Sequence, residues 1–163
     1  MWVTSNVTPD TGTNDAFIPD QDGISDKVVD RMVTVNSTSP MLTFRNNFNS
    51  EMSGGVFWDG GVLEVSTPSI SNGDFLDFTD SHVGGTCMSG CYTGEISGDA
   101  NNPLAGRMAW SGDSGGYIDT VINLGPNLAG QTVTLRWRFG SDEAVAAPGW
   151  RVDTLSIQGA SCQ

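Results

Sequence analysis

Basic residues are scarce in this sequence. It has seven lysines and arginines in total, with Lys27 as the single lysine, against 19 aspartates and glutamates, and its formal net charge is −12. Proteins that bind nucleic acid or anionic membranes need clustered cations that displace counterions from phosphates. We therefore exclude nucleic acid as a partner, and we expect the acids either to bind divalent cations or to keep the protein soluble.

Long apolar segments are also missing. No run reaches the roughly 18 apolar residues that span a membrane, and the first residues lack the basic start and apolar stretch of a signal peptide. Charged residues make up 16% of the chain, against roughly 25% in a typical soluble domain. We predict no membrane insertion, and we expect a secreted, extracellular domain that is part of a larger chain.

Cysteine and histidine are few. The chain has Cys87, Cys91, Cys162 and a single histidine, His82. Cys87 and Cys91 are close enough to form a disulfide in an oxidising compartment, and the alternative is two free thiols. With one histidine they make a weak zinc signal. Cys162 has no evident partner and is either free or paired outside this sequence.

Helical periodicity is absent, whereas strand periodicity is clear. The segment 132–139 alternates Val133, Leu135, Trp137 and Phe139 with threonines and arginines, which predicts a strand with one buried face. Further strands are predicted over 28–35, 41–49, 118–124 and 150–157, with a short one near 75–78 and a hairpin over 53–66 that turns at Asp59, Gly60 and Gly61.

About eight strands with long connections predict an all-β fold, a jelly-roll β-sandwich of two antiparallel sheets. We expect one domain over residues 1–163. Residues 1–26 are predicted to be an N-terminal loop segment packed on it, because turn formers dominate them. Residues 67–106 are also rich in turn formers, and such a long loop is expected to cover a face or to line a site.

Acidic residues are predicted to meet at one end of the sandwich. If 41–49 pairs antiparallel with the strand that begins at Trp150, Glu51 lies near Trp150, and the loop before Trp150 arrives at the same end. Calcium prefers about six to eight oxygen ligands. The sequence therefore predicts a structural calcium site, that is, one that stabilises the fold. The alternative places the acids in turns and surface salt bridges. The candidate ligands are Glu51, Asp59, Asp142 and Asp153.

A second acidic motif lies near the N-terminus. Asp20, Asp22 and Asp26 form D-x-D-G-x-x-D, which is similar to part of a calcium loop but lacks the later acid of an EF-hand. A solvated acidic loop is the simpler interpretation.

Two motifs suggest catalysis. GDSGG at 112–116 matches the sequence around the nucleophile of trypsin-like proteases, but His82 lies too close to Ser114 in sequence for that fold, so we predict a turn instead. A glycosidase needs two acids about 5 to 10 Å apart, and no particular pair is indicated. We therefore predict that the protein is not an enzyme.

Aromatic side chains are candidates for ligand binding. Trp58 and Tyr92 are the candidates on which a sugar ring or a partner side chain can stack, and Trp58 is predicted to be exposed. Trp110 and Trp150 are predicted to fill the edge of the core.

Five segments, taken together and in order, resemble a known family over nearly all of the chain. They are GTNDAFIPD, LTFRNNFNSE, DGGVLEVS, PLAGRMAWSGDSGG and LRWRFGSDEAVAAPGWRVDTLSI. The family is the bacterial secreted MAM-like jelly-roll accessory domain, of galactose-binding-like architecture, which accompanies immune-inhibitor-A-type metallopeptidases and occurs in large extracellular proteins. The peptidase motif HExxH is absent, so the resemblance implies no protease activity.

The resemblance implies a non-catalytic module for recognition or adhesion. We expect a carbohydrate or an extracellular protein as its ligand. One alternative is an enzyme that acts on polysaccharide through a carboxylate pair. Another is a self-assembling structural protein, joined through sheet edges or through Cys162.

Overall fold

The computed structural model describes residues 1–162. Its regular structure is almost entirely β-strand, with one turn of α-helix at Pro68–Ser71 and one 3-10 turn at Pro126–Leu128. The strands are β1 (Val3–Ser5), β2 (Asp15–Ile18), β3 (Ser25–Val35), β4 (Met41–Asn49), β5 (Met52–Ser53), β6 (Val56–Phe57), β7 (Gly60–Ser66), β8 (Leu76–Asp77), β9 (Thr86–Ser89), β10 (Gly94–Glu95), β11 (Met108–Ala109), β12 (Ile118–Asn123), β13 (Thr132–Ser141), β14 (Gly149–Gln158) and β15 (Ala160–Cys162).

The strands form two main antiparallel sheets. One has the order β1-β2-β14-β4-β12-β9 and the other has the order β15-β3-β13-β7-β8, while β5 pairs with β6 and β10 with β11 in short ribbons. Eight principal strands are β2, β3, β4, β7, β8, β12, β13 and β14. Counted along the chain, the first, eighth, third and sixth lie side by side in one sheet, and the second, seventh, fourth and fifth in the other. This is the strand order of a jelly roll, so the predicted fold class is confirmed.

The core lies between the sheets, as side-chain alternation requires. In β13 the side chains of Val133, Leu135, Trp137 and Phe139 are all buried. They belong to one cluster with the inward side chains of β4, β12 and β14. Trp110 and Trp150 are also in this cluster, which confirms their predicted structural role.

The prediction that residues 1–26 form a loop is wrong in part, because this segment contains the strands β1 and β2. β2 pairs with β14, with Ile18 opposite Trp150 and Phe17 opposite Arg151, and β1 adds a further strand at the edge. The strand is only four residues long and turn formers surround it, so its sequence shows no clear period. Ile18 is fully buried, and it fixes the N-terminal segment to the sheet.

The predicted hairpin turn at Asp59, Gly60 and Gly61 is also wrong. The two glycines begin β7, which pairs with β13 and not with the preceding strand. A Cβ on Gly61 would lie 2.4 Å from the Trp150 ring, and one on Gly60 would lie 2.7 Å from the carbonyl oxygen of Trp110. The glycines therefore allow close packing of β7 on the two tryptophans.

The long segment after β8 covers the outer side of β7. Val62, on the face of β7 opposite Leu63, packs in a second cluster with Ile96, Leu104 and Ala109. β7 is consequently buried on both faces. The expectation that this turn-rich segment covers a face is confirmed. It explains why Glu64 is only 2% exposed, although it alternates with the apolar residues Leu63 and Val65 in sequence.

Candidate metal centre

Three segments of the chain meet at one rim of the sandwich. β4 and β14 pair antiparallel, with Trp150 opposite Phe48, so the residues after β4 and before β14 lie at the same end, as predicted. Asp20 comes two residues after Ile18, which lies opposite Trp150. The rim therefore receives acids from the segments that follow β2 and β4 and from the loop between β13 and β14.

Three carboxylates converge there. One carboxylate oxygen from each of Glu51, Asp59 and Asp142 lies within 4.8 Å of the other two. Asp59 is 0% and Asp142 4% exposed, while Glu51 is half-buried. Asp20 is 4% exposed, and its Oδ2 accepts the backbone N–H of Glu51 at 3.3 Å. We term these four residues the acidic cluster.

Asp59 is held in place by hydrogen bonds on both its side chain and its backbone. Its Oδ1 accepts the backbone N–H of Asp142 at 2.6 Å and the side-chain amide of Asn102 at 3.2 Å. Its carbonyl oxygen accepts the hydroxyls of Ser50 and Ser111. The position of this carboxylate is therefore fixed by the fold before any ligand binds.

Two buried oxygens of the cluster lack a donor partner in the described chain. Neither Asp20 Oδ1 nor Asp59 Oδ2 accepts a hydrogen bond from a donor group among residues 1–162, and the two carboxyl groups hydrogen-bond to each other, through the proton that one of them retains. An unsatisfied buried polar group costs about 1–3 kcal/mol, and a charged one costs more. These buried oxygens are therefore available to coordinate a cation.

The acidic cluster has little basic charge near it, and its one electrostatic contact with a basic group of residues 1–162 joins Asp20 and Lys27. Within the described chain, none of the four carboxylates forms an ion pair with a lysine, arginine or histidine, although five arginines pair with other acids. Burial, followed by the charge of Asp20, raises the pKa of Asp59 to about 8. Burial also raises the pKa of Asp20, and burial together with the charges of Asp142 and Asp20 raises the pKa of Glu51. Without a cation, the cluster therefore retains a proton near neutral pH.

This donor set suits a hard divalent cation. Carboxylate oxygens are the ligands that calcium prefers, at about 2.3–2.6 Å, so oxygens on opposite sides of the ion lie about 4.6–5.2 Å apart. The three converging oxygens fall within that spacing. Zinc favours histidine and cysteine, which are absent from the cluster. The acidic cluster can therefore hold a metal ion through carboxylates alone.

Asp153 does not belong to the cluster, so its prediction as a ligand is wrong. It lies opposite Arg45, whereas Gly149, at the rim, lies opposite Asn49. Four residues of strand separate it from the rim, a distance of about 13 Å. Its Oδ2 accepts the backbone N–H groups of Asp10 and Thr11, which fastens the N-terminal segment to β14.

Asp20 is the cluster residue that sequence reasoning missed. The motif D-x-D-G-x-x-D groups it with Asp22 and Asp26, but Asp26 forms an ion pair with Arg138 at 2.8 Å and Asp22 is exposed. The two apolar residues Phe17 and Ile18 are the sequence feature that could have identified Asp20. They pair with β14, and this pairing places the residues that follow them at the rim.

The two aromatic candidates differ in their surroundings. Trp58, next to Asp59, is half-buried at the same rim, and its role in ligand binding stays a prediction. Tyr92 is packed between Phe78 and Trp110, and its hydroxyl contacts the backbone of Leu63 and the carboxylate of Asp77. Tyr92 is therefore half-buried and held by contacts within the fold, and its role in ligand binding also stays a prediction.

Cys87 and Cys91 form a disulfide, as predicted, with their Cα atoms 5.6 Å apart. The bridge spans the end of β9, the outermost strand of the six-stranded sheet. Cys162 is a free, exposed cysteine on β15.

The serine of GDSGG, Ser114, stabilises a turn through hydrogen bonds to the backbone. The hydroxyl of Ser114 donates to the carbonyl oxygens of Phe48 and Gly116, and it accepts the backbone N–H of Phe48. His82 instead contacts Asp80, two residues away, at 2.8 Å. The segment is a turn that leads into β12.

These features define an all-β jelly-roll domain with a preformed, buried acidic cluster at one rim. No helix among residues 1–162 is long and apolar enough to cross a membrane. Comparisons with protein-family models and with curated proteins found no match to this chain. The resemblance to MAM-like domains is therefore carried by the sequence motifs alone.

Proposed function

We propose that this protein is a non-catalytic, calcium-stabilised module of an extracellular protein that recognises a carbohydrate or a protein. The observation that carries the proposal is the acidic cluster, in which buried carboxylate oxygens accept no hydrogen bond from a donor group in residues 1–162 and none of the four carboxylates forms an ion pair with a basic residue there. A divalent cation satisfies both requirements at once.

Calcium fits the cluster better than magnesium. Magnesium demands close to octahedral geometry at about 2.0–2.1 Å and keeps several waters, whereas calcium accepts irregular sets of carboxylates and carbonyls. The cluster combines four carboxylates that come from three separate segments, which is the kind of irregular oxygen set that calcium accepts. Calcium bound here ties the ends of three strands together, so its role is in stability.

Extracellular placement is supported by the disulfide and by the composition. Disulfides form and persist in oxidising compartments, and Cys87 and Cys91 are bridged. Extracellular fluid also holds calcium at concentrations that fill weak sites, with Kd values of about 10⁻⁴–10⁻³ M in extracellular modules. The sequence resemblance to MAM-like accessory domains supports a recognition role.

The proposal is tested by removing and restoring calcium. Protein treated with a chelator is titrated with calcium chloride in a calorimeter, and its melting temperature (Tm) is measured with and without the ion. At 100 times the Kd, binding to the folded state adds about 2.7 kcal/mol of stability. We expect calcium to raise the Tm and magnesium at equal concentration to raise it less. An unchanged Tm together with no binding heat would refute a calcium-stabilised module.

A further inference from the structure

A groove lined by both polar and apolar residues lies on the outer face of the six-stranded sheet, beside the acidic cluster. Its volume is about 460 Å³, which is within the range of small-ligand sites. Its floor consists of outward-facing residues of β2, β14 and β4, and its walls come from the segments near Val7, near Pro148 and at 113–116.

The floor side chains lie in register across three strands. Arg151 of β14 lies opposite Phe17 of β2 on one side and opposite Asn47 of β4 on the other. One step nearer the rim, Asn49 forms a bridge with Asp113, and Gly149 lies opposite Asn49. Gly149 allows the start of β14 to approach the chain after β2 closely, since a Cβ there would lie 2.2 Å from the carbonyl oxygen of Ile18.

These side chains offer both donors and acceptors. Asn47 and Asn49 each carry an amide with two donors and one acceptor, and Asp113 supplies acceptor oxygens. The side chain of Asn49 makes no hydrogen bond within the described residues, and Asn47 makes one weak contact, to the hydroxyl of Ser114 at 3.4 Å. A hydroxyl group donates and accepts at once, so a ligand with several hydroxyls can satisfy this mixed set.

The charges in the groove disfavour anions. Arg151 is already paired with Asp15, whose carboxylate it contacts at 2.8 Å, and its guanidinium lies 4.0 Å from the centre of the Phe17 ring. Asp113 has no ion-pair partner in the described chain and is exposed. The net charge of −12 also repels anionic ligands.

We infer that this groove binds a neutral, hydroxyl-rich carbohydrate, a hexose or pentose unit of an oligosaccharide. The inference rests on the proposed recognition function and names the ligand class and the site. Asp113 is the one carboxylate among the residues that line the groove, whereas glycoside hydrolysis usually takes two. The groove therefore recognises the sugar without cleaving it.

The acidic cluster and the groove share their supporting segments. Asn49 comes two residues before Glu51, and Pro148 and Gly149 end the loop that begins at Asp142. A cation in the cluster holds both segments and so holds two sides of the groove. Calcium is consequently expected to strengthen sugar binding even though it does not contact the sugar.

The test uses the whole chain on an array of neutral gluco-, manno-, galacto- and xylo-oligosaccharides, with uronic-acid and sialylated oligosaccharides printed beside them. The strongest neutral oligosaccharide is then titrated in a calorimeter against the wild type, Asn49→Ala and Asn47→Ala. We expect each variant to bind about tenfold more weakly, as for the loss of one or two hydrogen bonds. Thr43→Ala is the matched control, because Thr43 has the same orientation on β4 but lies outside the groove.

Several outcomes would overturn the inference. They are the absence of binding to any neutral oligosaccharide, a preference for anionic ones, and wild-type affinity in both asparagine variants when their Tm shows that they are folded. If calcium raises the Tm but no sugar binds, the groove inference fails alone. If a sugar binds in a manner sensitive to Asn49 while calcium has no effect on the Tm, the calcium proposal fails alone.

Discussion

Asp59 Oδ1 accepts the backbone N–H of Asp142 at 2.6 Å, across 83 positions of sequence. This hydrogen bond joins the residue before β7 to the loop between β13 and β14. The other oxygen of Asp59 is buried and accepts no hydrogen bond from a donor group in the described chain. One oxygen of the Asp59 carboxylate thus holds the two segments of the rim together, while the other is available to coordinate a cation in the acidic cluster.

Asp59→Asn is expected to abolish most of the stabilisation by calcium. The amide keeps an acceptor for the N–H of Asp142 but removes one negative charge and one ligand oxygen from the cluster. The measurement is the rise in Tm of chelator-treated protein on addition of calcium. Glu143→Gln is the matched control, since Glu143 follows Asp142 directly but is exposed and outside the cluster. An equal calcium response in the wild type and in Asp59→Asn would show that the ion, if bound, lies elsewhere.

The calcium-free protein is expected to lose stability as the pH rises from about 4 to about 8. The pKa of Asp59 is raised to about 8 in the folded protein, against about 3.9 for an unperturbed aspartate. Between these values the folded state binds more protons than the unfolded state, so a rise in pH favours unfolding. Calcium replaces the retained proton, and its stabilising effect should therefore grow over the same interval.

Thermal melts at several pH values, with chelator and with calcium, measure this dependence. In Asp59→Asn the group that retains the proton is gone, so the calcium-free profile should become flatter than that of the wild type. Identical pH profiles for the wild type and Asp59→Asn in chelator would contradict the assignment of the raised pKa to this residue.

The meeting of acids at the rim could be predicted from the sequence because strand periodicity is local. The alternation in 41–49 and the β-rich run from Trp150 identify two strands, and their antiparallel pairing sets Glu51 and Asp142 at one end. Asp153 lies four residues after Gly149 along β14, so the strand rise alone places it about 13 Å from the rim. Its prediction as a ligand overlooked this distance, which the sequence itself contains.

Other features depend on contacts between distant segments, which leave no local signal. Gly60 and Gly61 have the composition of a turn, yet they are required by two tryptophans, Trp110 and Trp150, that are far away in sequence. Glu64 alternates with apolar residues as an exposed residue would, but the segment after β8 covers it. Asp20 reaches the cluster only through the pairing of β2 with β14.

Gly61→Ala is expected to destabilise the fold by about 1–3 kcal/mol, as overpacking of a core does. The added Cβ would lie 2.4 Å from the ring of Trp150, which is 0% exposed and surrounded by core side chains. The free energy of unfolding is measured by urea denaturation in calcium. Gly98→Ala is the control, because a Cβ there meets nothing within 4 Å, and its effect should stay within about 0.5 kcal/mol. Equal stabilities of the two variants would show that β7 can move away from Trp150 at no cost.

Glu64→Gln is expected to destabilise the protein by about 2 kcal/mol, as for loss of hydrogen bonds to a charged group. Glu64 is 2% exposed and accepts hydrogen bonds from Arg107 and Arg138, so it joins β7 to the covering segment and to β13. The neutral amide leaves two guanidinium groups without this counter-charge.

Asp30→Asn serves as the control for that variant, because Asp30 pairs with Arg136 at a surface position where its side chain is 39% exposed. An exposed pair contributes less than about 1 kcal/mol. Urea denaturation of both variants at pH 7 compares the two sites. The difference follows from burial, since the solvent that screens the charge of Asp30 is excluded from Glu64 by the segment that packs over β7. Equal losses of unfolding free energy in the two variants would mean that the segment after β8 moves away from β7 in solution and that the outer face of β7 is hydrated.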